Sequence, residues 1–240
     1  MLMKLDILAI GAHPDDVELF CSGTLLKHIA LGKKCGILDL TEGELGTRGN
    51  AKLRKQEALK ASKILGVTMR DVLNFKDGFF KNDESHQLEV IKKIREYRPE
   101  IVLCNAITAR HPAHGRAAQL VSEACFYSGL IKIETSIKGK KQEAWRPKAV
   151  YHYIQDRQLK PDFVVDVTEF VDKKMEAIKA FKSQFYDAKS KEPVTPISVK
   201  NFFDFVKAKM VLFGRDAGYE YAEGFTVERT AGVENLFDLK

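Results

Sequence analysis

Leu5-Asp6-Ile7-Leu8-Ala9-Ile10-Gly11-Ala12-His13-Pro14-Asp15-Asp16 is the stretch from which the fold is read. Leu5–Ala12 is a short apolar run ended by Gly11 and Pro14, the pattern of a buried strand. Pro14 biases His13 towards extended backbone and is itself suited to a first helical turn. Asp15 and Asp16 then fall in that turn. Val17, Leu19, Phe20, Thr24, Leu25 and Leu26 continue a helical stripe that stops at Gly32. One imidazole and two carboxylates therefore stand at the exit of a strand, where open parallel α/β sheets place their ligands.

The same alternation repeats downstream. Cys35–Leu40 reads as a second strand, followed by the polar, glycine-rich loop Thr41–Asn50 and a helix over Ala51–Leu65 that Gly66 stops. Asp71–Phe75 is a third strand, Glu84–Tyr97 a helix ending before Pro99, and Ile101–Cys104 a fourth strand. The loop Asn105–Arg110 then leads into His111-Pro112 and a helix running to Ser128. This regular βα core over 1–130 predicts an α/β fold: a Rossmann-like, mostly parallel sheet with helices on both faces and right-handed crossovers. Residues 131–240 are a less regular completion of the same single domain, 1–240. Strands are expected at Ala149–Ile154 and Phe163–Val167, and helices at Thr168–Tyr186 and Val199–Phe213. The polar segment 187–198, with two prolines, is read as a mobile loop.

Composition bounds the partners. A chain of 240 residues, 45% of them hydrophobic, can bury one full core. No apolar run approaches the roughly 18 residues of a membrane helix, and the N-terminus lacks a signal-peptide pattern. The expectation is a cytoplasmic protein with no membrane partner. Cys21, Cys35, Cys104 and Cys125 form no CxxC pair and sit among apolar residues, as buried thiols do in a reducing compartment. The net charge of +6 is spread thinly, with its densest cluster at Lys138-Gly139-Lys140-Lys141. That is no nucleic-acid footprint, and it suits a small anionic substrate steered into a cleft.

His111-Pro112-Ala113-His114 repeats the layout of the opening stretch: strand, exit, proline, helix. Taken alone, each stretch has a bland reading. First-turn carboxylates favour a helix macrodipole by about 0.3–1 kcal/mol, and His111 can serve as an N-cap. Together they bring His13, Asp15, Asp16, His111 and His114 to one edge of the sheet. A catalytic zinc site uses three protein ligands and leaves a position open, and two imidazoles with one carboxylate meet that need. Ferrous iron accepts a similar face. Residues i and i+3 share a helix face, so His111 and His114 can approach one site together. The remaining groups would handle protons.

Three rivals are weaker. A receiver domain, with Asp77 as phosphoacceptor, leaves the histidines unexplained, since Mg²⁺ prefers oxygen. A dinucleotide enzyme needs G-x-G-x-x-G where this chain has Gly11-Ala12-His13-Pro14. A metal- and sugar-binding protein without turnover would have no use for Asp15 and His111.

Ala12-His13-Pro14-Asp15-Asp16-Val17-Glu18 with Ser22-Gly23-Thr24, and Arg110-His111-Pro112-Ala113-His114, resemble the signature of the zinc-dependent LmbE/PIG-L N-acetylglucosaminyl deacetylases. The resemblance extends through Arg54-Lys55-Gln56-Glu57-Ala58 and Leu65-Gly66-Val67 to Tyr221-Ala222-Glu223-Gly224-Phe225. Within the family it leans towards the bacillithiol-biosynthesis deacetylases, which remove acetate from N-acetylglucosaminyl malate; chito-oligosaccharide and inositol conjugates are the other substrates it brings. It implies a Zn²⁺ (or Fe²⁺) site at the C-terminal edge of the strands with His13, Asp16 and His114 as ligands, Asp15 as general base and His111 as oxyanion stabiliser or proton donor. It also implies Arg54, Arg110 and Arg146 near the substrate, where a malate dicarboxylate would engage guanidinium groups. Glu42 and Thr47, in the loop after the second strand, are added as contacts to sugar hydroxyls, while Glu44 is left to solvent. Gln184 and Tyr186 are candidate lid residues, and Trp145 is read as packing. A homo-oligomer is expected, with hexamers among the relatives.

Overall fold

The computed structural model describes residues 3–238. The strands are β1 (Ile7–Gly11), β2 (Cys35–Thr41), β3 (Met69–Phe75), β4 (Ile101–Cys104), β5 (Ser136–Ile137), β6 (Lys140–Lys141), β7 (Ala149–Tyr153), β8 (Phe163–Asp166) and β9 (Ala222–Val227). The helices are α1 (Asp16–Phe20), α2 (Ser22–Ala30), α3 (Ala51–Leu65), α4 (Glu84–Tyr97), α5 (Pro112–Tyr127), α6 (Val171–Lys179) and α7 (Phe202–Arg215). Seven strands form one sheet in the order β3-β2-β1-β4-β7-β9-β8; β5 and β6 form a separate hairpin. β3, β2, β1, β4 and β7 are parallel, and β9 runs antiparallel to β7 and β8. The α/β class and the mostly parallel sheet are therefore as the sequence predicts. The strand order reverses at β1, between β2 and β4, which is the topological switch point where such sheets bind ligands.

β1 shows why the sheet is covered on both faces. Side chains alternate along a strand. Ile7 and Ala9 join one core with residues of α2, α3, α6 and α7, while Leu8 and Ile10 join the other with residues of α4 and α5. All five β1 residues are buried, which is why the run reads as continuously apolar. The caps are those the sequence suggests. Asn50 Oδ1 accepts from Leu53 N at 2.9 Å to start α3, and Gly66, at φ 77°, ends it.

Besides the β5–β6 hairpin, which the sequence does not announce, three elements depart from the sequence reading. The single helix expected after Pro14 is two, broken at Cys21 (φ −144°). The helix expected over Thr168–Tyr186 is a 3₁₀ turn, Thr168–Phe170, followed by α6, which ends at Lys179. β9 was not expected, because Ala222-Glu223-Gly224 carries a charge and a glycine within a strand that proves almost wholly buried.

The break at Cys21 and the charge in β9 are one feature. Glu223 accepts from Gly23 N (2.9 Å), Thr24 N (2.7 Å) and Thr24 Oγ1 (2.6 Å), capping α2 from across the sheet. Lys174 Nζ of α6 donates to its Oε1 at 2.5 Å, and both residues are almost fully buried. Gly23 must be glycine, since a Cβ there would stand 2.9 Å from Val167 Cβ. Removing one partner of a buried ion pair strands the other charge. Glu223→Ala is therefore expected to lower stability by about 3–5 kcal/mol in urea unfolding; a loss below about 1 kcal/mol would place that anchor outside the folded-state energetics.

Candidate functional site

The parallel strands deliver their C-terminal ends to one cleft of about 320 Å³. His13 follows β1, Asp77 follows β3, His111 and His114 come from the start of α5 after β4, and Asp156 follows β7; all line the cleft. Pro14 and Asp15 lie in a turn before α1 rather than within it. Asp15 has φ 120°, a conformation non-glycine residues avoid. The strain, of order 1–3 kcal/mol, turns the two adjacent carboxylates to different partners.

Asp16 faces the imidazoles. Its Oδ1 lies 3.1 Å from His114 Nε2 and its Oδ2 3.6 Å from His13 Nδ1. The backbone N–H of His13 (3.0 Å), Asn105 Nδ2 (3.0 Å) and Gln155 Nε2 (3.3 Å) also donate to it. Burial opposes ionisation of Asp16, but His114 and His13 outweigh it and hold the carboxyl well below the usual range. Asn105 in turn accepts from Ala12 N at 2.9 Å and donates to Gln155 Oε1 at 3.0 Å. His13 Nε2 lies 3.0 Å from Asp77 Oδ1, and Asp77 Oδ2 accepts from Leu45 N at 3.2 Å.

Asp15 faces Arg54. Arg54 Nη2 donates to Asp15 Oδ2 at 2.8 Å and Nη1 donates to Gly43 O at 3.2 Å. Asp15 Oδ1 has no hydrogen-bond partner among the described residues. Burial raises the Asp15 pKa; Arg54 restrains the rise and the Asp16 charge adds to it. The result is a carboxylate more basic than usual beside the imidazoles, the property a general base needs.

His111 is the N-cap of α5. Its Nδ1 accepts from Ala113 N at 3.3 Å, which leaves the proton of the neutral ring on Nε2. Burial and the neighbouring His13 and His114 push its pKa down to about 4, so it is neutral at physiological pH.

The donor set fits a divalent transition metal. Ring nitrogens of His13, His111 and His114 all lie within 4.8 Å of one another. Asp16 Oδ1 lies 3.1 Å from His114 Nε2, close to the ~3.3 Å ligand–ligand edge of a site with bonds of about 2.0–2.1 Å, and its other oxygen lies 3.6 Å from His13 Nδ1. Asp77 on the far nitrogen of His13 is the outer-shell carboxylate that metal-ligating histidines usually carry, and His114 Nδ1 is buried without a partner. Two imidazoles and a carboxylate suit zinc or ferrous iron.

Burial disfavours a charged His13, but Asp16 and Asp77 on its two nitrogens push its pKa up to about 10. With no cation bound, the ring keeps its extra proton at neutral pH, and a metal must displace it. Zinc uptake is expected to release a proton near neutral pH and to weaken about tenfold per unit as pH falls. Calorimetry in buffers of different ionisation enthalpy measures this, and uptake without proton release would contradict it.

A family model described as PIG-L, GlcNAc-PI de-N-acetylase, matches residues 8–125, a span that holds His13, Asp15, Asp16, His111 and His114. The chain belongs to the PIG-L/LmbE deacetylase family. Family likeness extends beyond that span. The diacetylchitobiose deacetylase of Thermococcus kodakarensis is 28% identical over 91% of this chain and 81% of its own. The probable N-acetyl-alpha-D-glucosaminyl L-malate deacetylase 2 of Bacillus anthracis is 27% identical over 75% of this chain and 81% of its own. Among solved structures, a conserved protein from Thermus thermophilus superposes with a TM-score of 0.84 at 33% identity, covering 96% of this chain and 98% of that one.

The family signature residues converge, but the outer contacts redistribute. Arg110 and Thr47 line the cleft; Arg110 is half-exposed, with Nη2 3.5 Å from Asp156 Oδ2. Arg54 also lines it, yet its guanidinium is committed to Asp15 and Gly43, so it positions the carboxylate instead of waiting for substrate. Glu42 does not reach the cleft. The chain turns at Gly43 (φ 65°), and Glu42 lines a separate cavity with Pro14, Asp39, Lys55 and Arg70. Arg146 is not at the site either. It precedes β7, at the opposite edge of the sheet, and stacks 4.2 Å from the Phe126 ring beside a larger cavity of about 750 Å³.

Glu44, read as solvated, accepts from Asp77 N at 2.6 Å. Gln184, Thr195, Pro196 and Ile197 form part of the cleft wall, and Ser190 and Glu192 are tied to Arg48 and Gly49, so 187–198 is anchored at several points. Trp145 packs, donating to Pro99 O at 2.7 Å. All four cysteines are buried. No helix among the described residues is long and apolar enough to cross a membrane.

Proposed function

We propose that the chain is a zinc-dependent amide hydrolase that removes acetate from an N-acetylglucosaminyl conjugate, with N-acetylglucosaminyl malate of bacillithiol biosynthesis as its most fitting substrate. The observation that carries this reading is the division of labour between adjacent carboxylates. Asp16 is saturated with imidazole and amide contacts, while Asp15 is turned to Arg54 with one oxygen uncommitted. A protein that only bound a metal would have no need of the second arrangement.

His13, Asp16 and His114 would hold the cation. A cation held there supplies Lewis-acid polarisation of the acetyl carbonyl and acidifies water. Asp15 accepts a proton from the attacking water, helped by its raised pKa. As the tetrahedral carbon forms, neutral His111 donates its Nε2–H to the developing oxyanion. Asp15 then returns its proton to the departing amine, so one carboxyl group serves as base and as acid. Arg54 fixes Asp15 in position throughout, and Asp77 fixes His13. Arg110 and Thr47 are the contacts assigned to the conjugate.

A second reading, deacetylation of a neutral chito-oligosaccharide, is favoured by the longer match to the Thermococcus enzyme. The test is release of free amine from N-acetylglucosaminyl malate, N,N′-diacetylchitobiose and an N-acetylglucosaminyl inositol conjugate, with Zn²⁺ or Fe²⁺ supplied. Turnover strongest on the malate conjugate is expected. Absence of turnover on all three would remove the enzyme reading. The buried, unpaired thiols accord with a cytoplasmic setting, which with homo-oligomeric assembly completes the proposal.

A further inference from the structure

Asp16 is held from behind by two amides. Asn105 Nδ2 donates to its Oδ2 and Gln155 Nε2 to its Oδ1, so each oxygen takes one amide N–H and still faces one imidazole. The Asn105 amide has one orientation that works. Its Oδ1 takes the Ala12 N–H, which turns Nδ2 towards Asp16. The backbone of Asn105 is held differently. The β4–β7 ladder ends at the pair Cys104–His152, one residue short of it. Asn105 is fully buried, and a buried carbonyl needs a donor. Its carbonyl oxygen lies 2.8 Å from Nδ1 of the His152 side chain.

His152 is itself buried on β7. Its Nε2 lies 2.9 Å from Oε1 of Glu228, which follows β9. A peptide carbonyl and a carboxylate only accept, so both ring nitrogens carry hydrogens and the ring is an imidazolium. Burial opposes that charge, but Cys104, Glu228 and the Asn105 carbonyl outweigh it and raise the pKa above the usual imidazole value. Burial works against ionisation of Glu228 as well, yet His152 and Ser122 hold its carboxyl below the usual range. Glu228 is partly exposed and lines the larger cavity of about 750 Å³, outside the catalytic cleft. A continuous line of hydrogen bonds thus runs from that cavity wall through His152 and Asn105 to Asp16.

We propose that His152, locked by Glu228, is a positioning residue for the metal site: it orients the Asn105 peptide and, through the Asn105 side chain, the Asp16 carboxylate. This rests on Asp16 as a metal ligand in the proposed function and extends that reading to residues that touch neither metal nor substrate. Hydrogen bonds weaken steeply with misalignment. A turned Asn105 peptide would therefore free Asp16 from the amide that aims it.

The test measures Zn²⁺ affinity by chelator competition in wild type, His152→Asn, His152→Gln and Val150→Ala. Asparagine places an N–H near the position of Nδ1 and can still donate to the Asn105 carbonyl. Glutamine reaches the position of Nε2 and meets Glu228 instead. His152→Gln is expected to weaken Zn²⁺ binding about tenfold, the lower end of the cost of losing a partner behind a metal ligand. His152→Asn should bind nearly as wild type does. A role in packing alone gives the reverse order, because glutamine fills more of the space left by histidine. Val150 shares the His152 face of β7 and packs in the core against α4 and α5. Val150→Ala should lower the urea midpoint and leave Zn²⁺ affinity unchanged.

Co²⁺-loaded protein gives a second readout: its d–d absorption should shift in His152→Gln and not in His152→Asn. Equal Zn²⁺ affinities throughout, or losses that follow the urea midpoint, would overturn the positioning role. If the His152 variants do not fold, Glu228→Met, at the partly exposed end, decides: weaker Zn²⁺ binding supports the role and unchanged binding overturns it. Neither readout uses turnover. If wild type binds zinc but the order fails, His152 has no positioning role and the metal site stands. If wild type binds neither ion, the metal site falls and the role of His152 with it.

Discussion

Asp15→Asn is expected to keep its bound metal and to lose about 10²- to 10⁴-fold in kcat/KM, the range general acid–base catalysis supplies. Asparagine preserves the volume of Asp15 and an oxygen for Arg54 Nη2, now 2.8 Å from Asp15 Oδ2. It cannot accept a proton. Since Asp16 and not Asp15 contacts His13 and His114, metal content should not follow activity down. Metal analysis alongside the amine assay separates the two, and a variant that retains metal and deacetylates at the wild-type rate would show that another group is the base. A companion change tests the cause of the pKa. Arg54 lowers the Asp15 pKa against the effect of burial. Arg54→Met should therefore raise it further and move the acidic limb of the activity profile to higher pH. A limb that stays in place or moves to lower pH would contradict this electrostatic role.

Asp16→Ala should do the opposite of Asp15→Asn: lose the metal first and activity as a consequence. Asp16 joins both imidazole partners, and three further donors are aimed at its oxygens. Without it, His13 and His114 lose the carboxylate that completes their set. Asp77 offers an internal scale, because it touches only the far nitrogen of His13. Loss of an outer-shell partner costs about 10- to 100-fold in metal affinity, so Asp77→Asn should fall in that range and Asp16→Ala well beyond it. Metal retained after dialysis against a graded series of chelators gives both numbers. Equal losses for the two variants would mean that Asp16 is not a ligand.

The parallel half of the fold was legible because its strands are buried on both faces and read as unbroken apolar runs, and because glycine and asparagine mark the helix ends. The imidazoles and Asp16 were legible because they follow strand exits on one edge. The same rule would have found Asp77, Asn105 and Gln155, each close behind the C-terminal end of a parallel strand. In the sequence Asp77 reads only as a phosphoacceptor of a rival fold, and two amides carry no titratable signal. Arg146 could have been set aside by the same reasoning, since a residue that precedes a parallel strand lies at the opposite edge. β9 was hidden because its charge is neutralised by Lys174, 49 positions earlier in the chain. The φ of Asp15 was out of reach, because backbone strain leaves no mark in composition or spacing.

The most direct test of metal-dependent deacetylation at this cleft is acetate release measured against bound zinc per chain, using protein stripped of metal and reloaded in steps, with N-acetylglucosaminyl malate as substrate. Acetate release should rise in proportion to occupancy and vanish in the stripped protein. Release that persists without metal, or none from fully loaded protein on this or any N-acetylglucosaminyl conjugate, would contradict it.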